Sequence, residues 1–159
     1  MPMSPAEIAT LRELMEYEAS RTAPPDGFPA LPDIPAGRYT DPRFFALEQQ
    51  HLWRRSWLLA AHIDELPAEG DFLLWEMAGQ PVLLVHGDHG AINAFYNTCS
   101  HRGAPVVTEP RGNRRRFTCP YHGWSYGRDG ELMAVRNAED FRDLDLSQRG
   151  LKSIRCERF

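Results

Sequence analysis

Apolar positions follow two different rhythms along this chain. Near the N-terminus Ile8, Leu11, Leu14 and Met15 recur at three- and four-residue steps and share one helical face. Ser4 stands where a helix cap belongs, Pro5 suits the first turn, and Glu7 has capping-box spacing. A helix is therefore predicted from Ser4 to Arg21. Pro24 to Pro35 holds five prolines and reads as an extended arm. A second helix is predicted from Asp41-Pro42 to about Arg54, with Phe44, Phe45, Leu47, His51 and Leu52 available for packing.

Beyond Arg54 the rhythm shortens to that of strands. Strands are predicted at Trp57–Ile63, Asp71–Met77, Val82–His86 and Ile92–Tyr96, then at Arg116–Thr118, Trp124–Tyr126 and Lys152–Phe159. Turn-forming stretches punctuate them: Pro67-Ala68-Glu69-Gly70, Gly87-Asp88-His89-Gly90 and Gly127-Arg128-Asp129-Gly130. Short strands with such punctuation predict a mainly β protein built as an antiparallel β-sandwich, preceded by N-terminal helices. No internal repeat or low-complexity tract interrupts it.

Composition adds boundaries. A length of 159 residues suits one domain with a real core. A formal charge of −4 gives no global reason to expect a nucleic-acid or membrane partner. The N-terminus carries Glu7, Glu13, Glu16 and Glu18 and no apolar run of signal-peptide length, and no stretch is long enough to span a membrane. Three cysteines make an odd count, so no disulfide framework is implied. A reducing, cytoplasmic setting is expected.

Two of those cysteines carry the chemistry. Cys99-Ser100-His101 and, after seventeen intervening residues, Cys119-Pro120-Tyr121-His122 together read C-x-H-x17-C-x2-H. Each half joins one thiolate to one imidazole. That mixture suits a [2Fe–2S] cluster in which two Cys hold one iron and two His the other. With neutral imidazoles the oxidised cluster is formally uncharged, so an electron is accepted readily. Such ligation raises the potential to roughly −150 to +300 mV, against about −400 mV for all-Cys clusters of the plant type. Structural zinc also takes Cys2His2, but zinc fingers group Cys with Cys and His with His. Here both halves are mixed.

The stretches Asn97-Thr98-Cys99-Ser100-His101-Arg102-Gly103 and Cys119-Pro120-Tyr121-His122-Gly123-Trp124 resemble the two cluster loops of Rieske non-haem iron oxygenases, the ring-hydroxylating type, almost letter for letter. Tyr39 through Trp53, Trp57, and Leu66 through Asp71 resemble the opening of an oxygenase α subunit. Respiratory Rieske proteins carry an extra, disulfide-linked Cys in each loop; Ala104 and Tyr121 stand there instead. Rieske ferredoxins start almost directly with the first strand, whereas some fifty-five residues precede Trp57 here.

The resemblance implies residues 1–37 as an N-terminal helix and Pro-rich arm, and 38–159 as a Rieske domain with a small cluster-binding subdomain at about 97–127. It implies one [2Fe–2S] cluster per chain on Cys99, His101, Cys119 and His122. Arg102, Trp124 and Tyr126 would surround the ligands: Trp124 shields the cluster, and Tyr126 stands where relatives place a tyrosine near a ligand sulfur. A reductase or ferredoxin would deliver electrons derived from NAD(P)H. The cluster would pass them to a mononuclear Fe(II) in the catalytic domain of its own or a neighbouring subunit of a trimer, where oxygen is activated for hydroxylation or demethylation. That iron needs two His and a carboxylate. His51, His62, His86 and His89 form no such pair after the Rieske region, so the catalytic domain is expected to be missing and no catalytic residue is assigned. A stand-alone ferredoxin-like carrier is the rival reading. Arg111 and Arg114-Arg115-Arg116 form a basic loop that reads as a solvated face, with docking to an acidic redox partner as the alternative. Cys156 is expected to be an inert buried thiol.

Overall fold

The computed structural model describes residues 3–76 and 79–158. The first 44 residues and the remainder from Phe45 form two compact units. In the first, helix α1 (Pro5–Ser20) starts with the predicted capping box. The Ser4 N–H donates to Glu7 Oε2 at 2.6 Å, and the Glu7 N–H donates to Ser4 Oγ at 3.3 Å. Residues 24–35 form no helix or strand and are interrupted by a turn at Asp26-Gly27, where the Phe28 N–H donates to the Pro25 carbonyl at 3.0 Å; a short helix α2 (Gly37–Thr40) follows. The helix predicted from Asp41 forms as α3 (Pro42–Glu48) and then widens into a π turn at Gln49–Trp53.

Among the described residues the second unit holds two antiparallel sheets. Strands β1 (Asp71–Trp75), β2 (Val82–His86), β3 (Ile92–Tyr96), β4 (Arg111–Asn113) and β8 (Ser153–Ile154) form one, in the order β4-β1-β2-β3-β8. Strands β5 (Phe117–Thr118), β6 (Ser125–Tyr126) and β7 (Leu132–Ala134) form the other. Phe72, Leu83, Val85 and Phe95 from the larger sheet share a core with Phe117, Tyr126 and Leu132 from the smaller one. The β-sandwich expectation is correct. Side chains alternate along a strand, so the opposite face of the larger sheet presents Leu73, Trp75, Val82, Leu84 and Ala94 to a second cluster with Leu66.

β2 and β3 coincide with their predicted limits. Trp57–Ile63 is not a strand. Residues 57–62 form no regular element, and Ala60 and Ala61 pack on the second core cluster. A segment laid on a sheet face needs apolar residues as a strand does, and among the described residues this one belongs to neither sheet. It ends in a 3-10 turn at Ile63–Glu65, capped by His62. β4 lies where a solvated basic loop was expected. All three of its residues are exposed; backbone pairing joins it to β1, and the Asn113 side-chain amide adds a bond to Asp71 Oδ1 at 2.8 Å. β7 was not predicted; Leu132 is its one buried residue. β8 is shorter than the predicted Lys152–Phe159, and Phe159, like Met77, lies outside the described residues. β5 and β6 each begin one residue later than predicted. Among the described residues no helix is long and apolar enough to cross a membrane.

Candidate metal centre

Two loops of matching design make the site. In the first, the Cys99 N–H donates to the Ala104 carbonyl at 2.8 Å, and the Gly103 N–H donates to the Cys99 carbonyl at 2.9 Å. In the second, the Cys119 N–H donates to the Trp124 carbonyl at 2.8 Å, and the Gly123 N–H donates to the Cys119 carbonyl at 3.0 Å. Gly103 and Gly123 take φ of 75° and 74°. That is the left-handed region that glycine enters without strain, and it lets each loop turn back on its cysteine. The repeated Cys-to-Gly spacing in sequence is therefore a repeated backbone turn.

The first loop is also clamped by side chains. Asn97 is buried; its Oδ1 accepts from the Val106 and Val107 N–H groups at 3.0 Å each, and its Nδ2 donates to the Val107 carbonyl at 2.7 Å. Ser100 Oγ donates to the Gly150 carbonyl at 2.6 Å. The Ser100 N–H donates to the Tyr126 hydroxyl at 3.0 Å, and that hydroxyl lies 3.1 Å from Cys99 Sγ. Sequence reasoning quoted Asn97 within the loop motif but gave it no role. Its signal was a lone Asn just after an apolar strand, a position where a side-chain amide can replace strand pairing.

Cys99 and Cys119 are both buried. Burial pushes the Cys99 thiol pKa up, while the hydrogen bond from Tyr126 lowers it; the adjacent Cys119 raises it further. His101 and His122 are half-buried, with ring centroids 4.7 Å apart. Trp124 stacks flat on His101 at 4.8 Å and 9°. Exposed Tyr121 covers His122 at 3.8 Å. Arg102 is exposed, and its charge, after burial and the neighbouring His122, holds the His101 pKa below its ordinary value.

Among the described residues, no three His, Cys, Asp or Glu side chains group tightly enough to hold a single ion. The four donors stand instead as a buried thiol pair and a half-buried imidazole pair. His101 Nδ1 is buried and has no hydrogen-bond partner. Such an atom is costly unless something ligates it. Soft thiolates on one side and imidazoles on the other fit a [2Fe–2S] group of mixed ligation.

Residues 56–153 match the Rieske [2Fe-2S] domain. The chain belongs to this family. A Rieske domain implies a [2Fe–2S] cluster, so the cofactor class read from the donor set and the family agree. The glycine betaine monooxygenase oxygenase subunit of Chromohalobacter salexigens is 38% identical over 122 residues, covering 76% of this chain and 27% of that protein. Naphthalene 1,2-dioxygenase from Rhodococcus sp., solved with indole bound, superposes with a TM-score of 0.72 at 30% identity, over 76% of this chain and 28% of that one. A quaternary ammonium Rieske monooxygenase, studied for carnitine oxidation and inter-subunit electron transfer, superposes with a TM-score of 0.71 at 29% identity, over 77% of this chain and 34% of that one. The chain thus matches oxygenase subunits of both the mono- and dioxygenase kind, and it spans about a quarter to a third of their length.

The remaining sequence candidates lie apart from these loops. His62 caps its 3-10 turn, and the His86 ring lies 2.7 Å from the Leu66 carbonyl through Nδ1. His89 sits in the turn after β2 with φ of 57°, and His51 is an exposed residue of the π turn. In the basic stretch, Arg111 faces Glu65 at 3.7 Å and Arg114 pairs with Glu109 at 2.7 Å. Cys156 is half-buried beside the second core cluster, and burial raises its thiol pKa.

Proposed function

We propose that this Rieske domain transfers one electron at a time, with Cys99 and Cys119 holding one iron of the cluster and His101 and His122 the other. The carrying observation is the division of donors into buried thiols and half-buried imidazoles, with His101 Nδ1 buried and unpartnered. When bound, the cluster supplies a one-electron acceptor of raised potential. The chain's own residues set its conditions. The two cysteines place the sulfur side inside the core, and the imidazoles face the surface where a redox partner can approach. Trp124 excludes water from one face of His101. Tyr126 holds its hydroxyl against Cys99 Sγ.

Similarity to oxygenase subunits supports reading this activity as part of an oxygenase α subunit. Electrons would come from NAD(P)H through a reductase or ferredoxin. They would leave through the imidazole side toward a mononuclear Fe(II) carried outside these residues, by the same or a neighbouring subunit of a trimer. The substrate pocket would lie there too. Matches to proteins named for glycine betaine, carnitine and naphthalene leave the substrate open between N-methylated amines and arenes.

Iron and acid-labile sulfide analysis with EPR tests the cluster. We expect about two iron and two sulfide per chain, and an EPR signal that appears on one-electron reduction. One zinc without sulfide would remove the assignment. Given reductase, NADH, oxygen and a panel of methylated amines and arenes, the purified chain should become reduced yet form no product. Coupled product formation would show that the chain holds an oxygenase site.

A further inference from the structure

After β7 the chain turns at Asn137, whose φ of 54° is left-handed, and passes through a short 3-10 turn at Ala138–Asp140. Half-buried Val135, Phe141 and Leu144 then pack against the core that contains Cys99, Cys119 and Trp124. Residues 135–144 therefore form a strap held by apolar contacts at both ends and in its middle. Arg136 lies on the second cluster loop: a β-carbon at Gly123 would meet its side chain at 3.5 Å.

Phe141 meets the His101 ring at 5.8 Å and 85°, and the Trp124 ring at 5.7 Å and 80°. Trp124 lies flat against the same imidazole, and His122 meets it edge to face. Three rings thus surround His101, whose buried Nδ1 has no partner. Edge-to-face and stacked contacts of this kind are directional, not merely space-filling.

We propose that Phe141 is a positioning residue for His101, fixing the orientation of the imidazole and keeping water from that side of the metal centre. The inference rests on the reading of Cys99, His101, Cys119 and His122 as cluster ligands. One electron added to a site with neutral imidazoles adds one negative charge. Water stabilises that charge and an apolar ring displaces water. Phe141 therefore holds the reduction potential below that of an opened site, burial being one of the protein's levers on such centres. Opening the site also gives chelators a path to the iron.

The test compares Phe141→Ala and Phe141→Leu in holoprotein whose iron and sulfide content is measured first. The readouts are the midpoint potential, nitrogen hyperfine couplings of the reduced state by pulsed EPR, and the rate of bleaching by a chelator. Phe141→Ala should raise the midpoint, alter the couplings of one imidazole and bleach several-fold faster. Phe141→Leu should move all three in the same direction by less, since it keeps part of the cover. Wild-type midpoint, couplings and bleaching in both variants would overturn the proposal, even with a lower Tm, because Phe141 would then only fill volume. If Phe141→Ala does not load, the same criterion applied to Phe141→Leu decides. Wild-type protein without iron and sulfide would instead remove the ligand assignment, and the proposal with it, so the two failures are distinguishable.

Discussion

Removing one oxygen atom, in Tyr126→Phe, tests how the fold tunes its metal centre. Tyr126 is 0% exposed. Its oxygen accepts the Ser100 N–H at 3.0 Å, which leaves the hydroxyl hydrogen to point at Cys99 Sγ, 3.1 Å away. Burial, then the bond to Cys99, hold the phenol pKa far above its ordinary value, so the group stays a protonated donor at neutral pH. Phenylalanine keeps the ring and loses only that donor. A hydrogen bond to a charged group is worth about 1.5–3 kcal/mol. The bond is stronger in the reduced state, where the sulfur carries more negative charge. If about half of it, ~1.4 kcal/mol, distinguishes the two states, the one-electron midpoint falls by about 59 mV. The Ser100 N–H also loses its acceptor, which costs about 1–3 kcal/mol of stability. Protein-film voltammetry on variant and wild type with equal iron content reads the first effect, and thermal unfolding the second. An unchanged or higher midpoint would refute the argument. A lowered Tm with an unchanged midpoint would mean that the hydroxyl serves the loop backbone alone.

Three other outcomes are expected. Asn97→Ala strands two N–H groups and a carbonyl in the core, and it should lower stability by about 3 kcal/mol, or roughly 6–12 °C in Tm for a chain of this size. Asn97→Asp keeps the double acceptor but sets a second oxygen against the Val107 carbonyl and buries a charge, so it should lose stability too; a wild-type Tm in either variant would reject the clamp. Gly123→Ala meets no atom closer than 3.5 Å, so its cost is the left-handed backbone alone, about 1–2 kcal/mol by thermal melt; a neutral effect would contradict the strain. With Ala104 and Tyr121 where a disulfide would stand, the wild-type midpoint should lie at roughly −150 to 0 mV, and a value above about +200 mV would remove the distinction from respiratory proteins.

Legibility followed the range of the forces involved. β2 was readable to the residue because its four apolar side chains alternate between two cores, leaving a continuous apolar run that ends at the Gly87 turn. β4 was illegible for the opposite reason. Its Arg-Gly-Asn buries no side chain and joins the sheet through backbone groups that every residue has, with one added Asn113 amide bond to Asp71 from 42 positions away. Trp57–Ile63 misled because packing on a sheet face and pairing at a sheet edge ask for similar residues, and only the sheet order shows that it belongs to neither sheet.

By itself the sequence determined the family and its two matching loops, since cysteine, histidine and glycine spacing acts within five or six residues and needs no distant partner. Only the tertiary structure decided what surrounds those donors. The Tyr126 hydroxyl reaches Cys99 across 27 positions, Ser100 reaches Gly150 across 50, and Phe141 meets His101 from a strap with no local signature. Such contacts are selected by how two sheets and their connections pack, and a single contact between distant segments leaves no period in the chain to read.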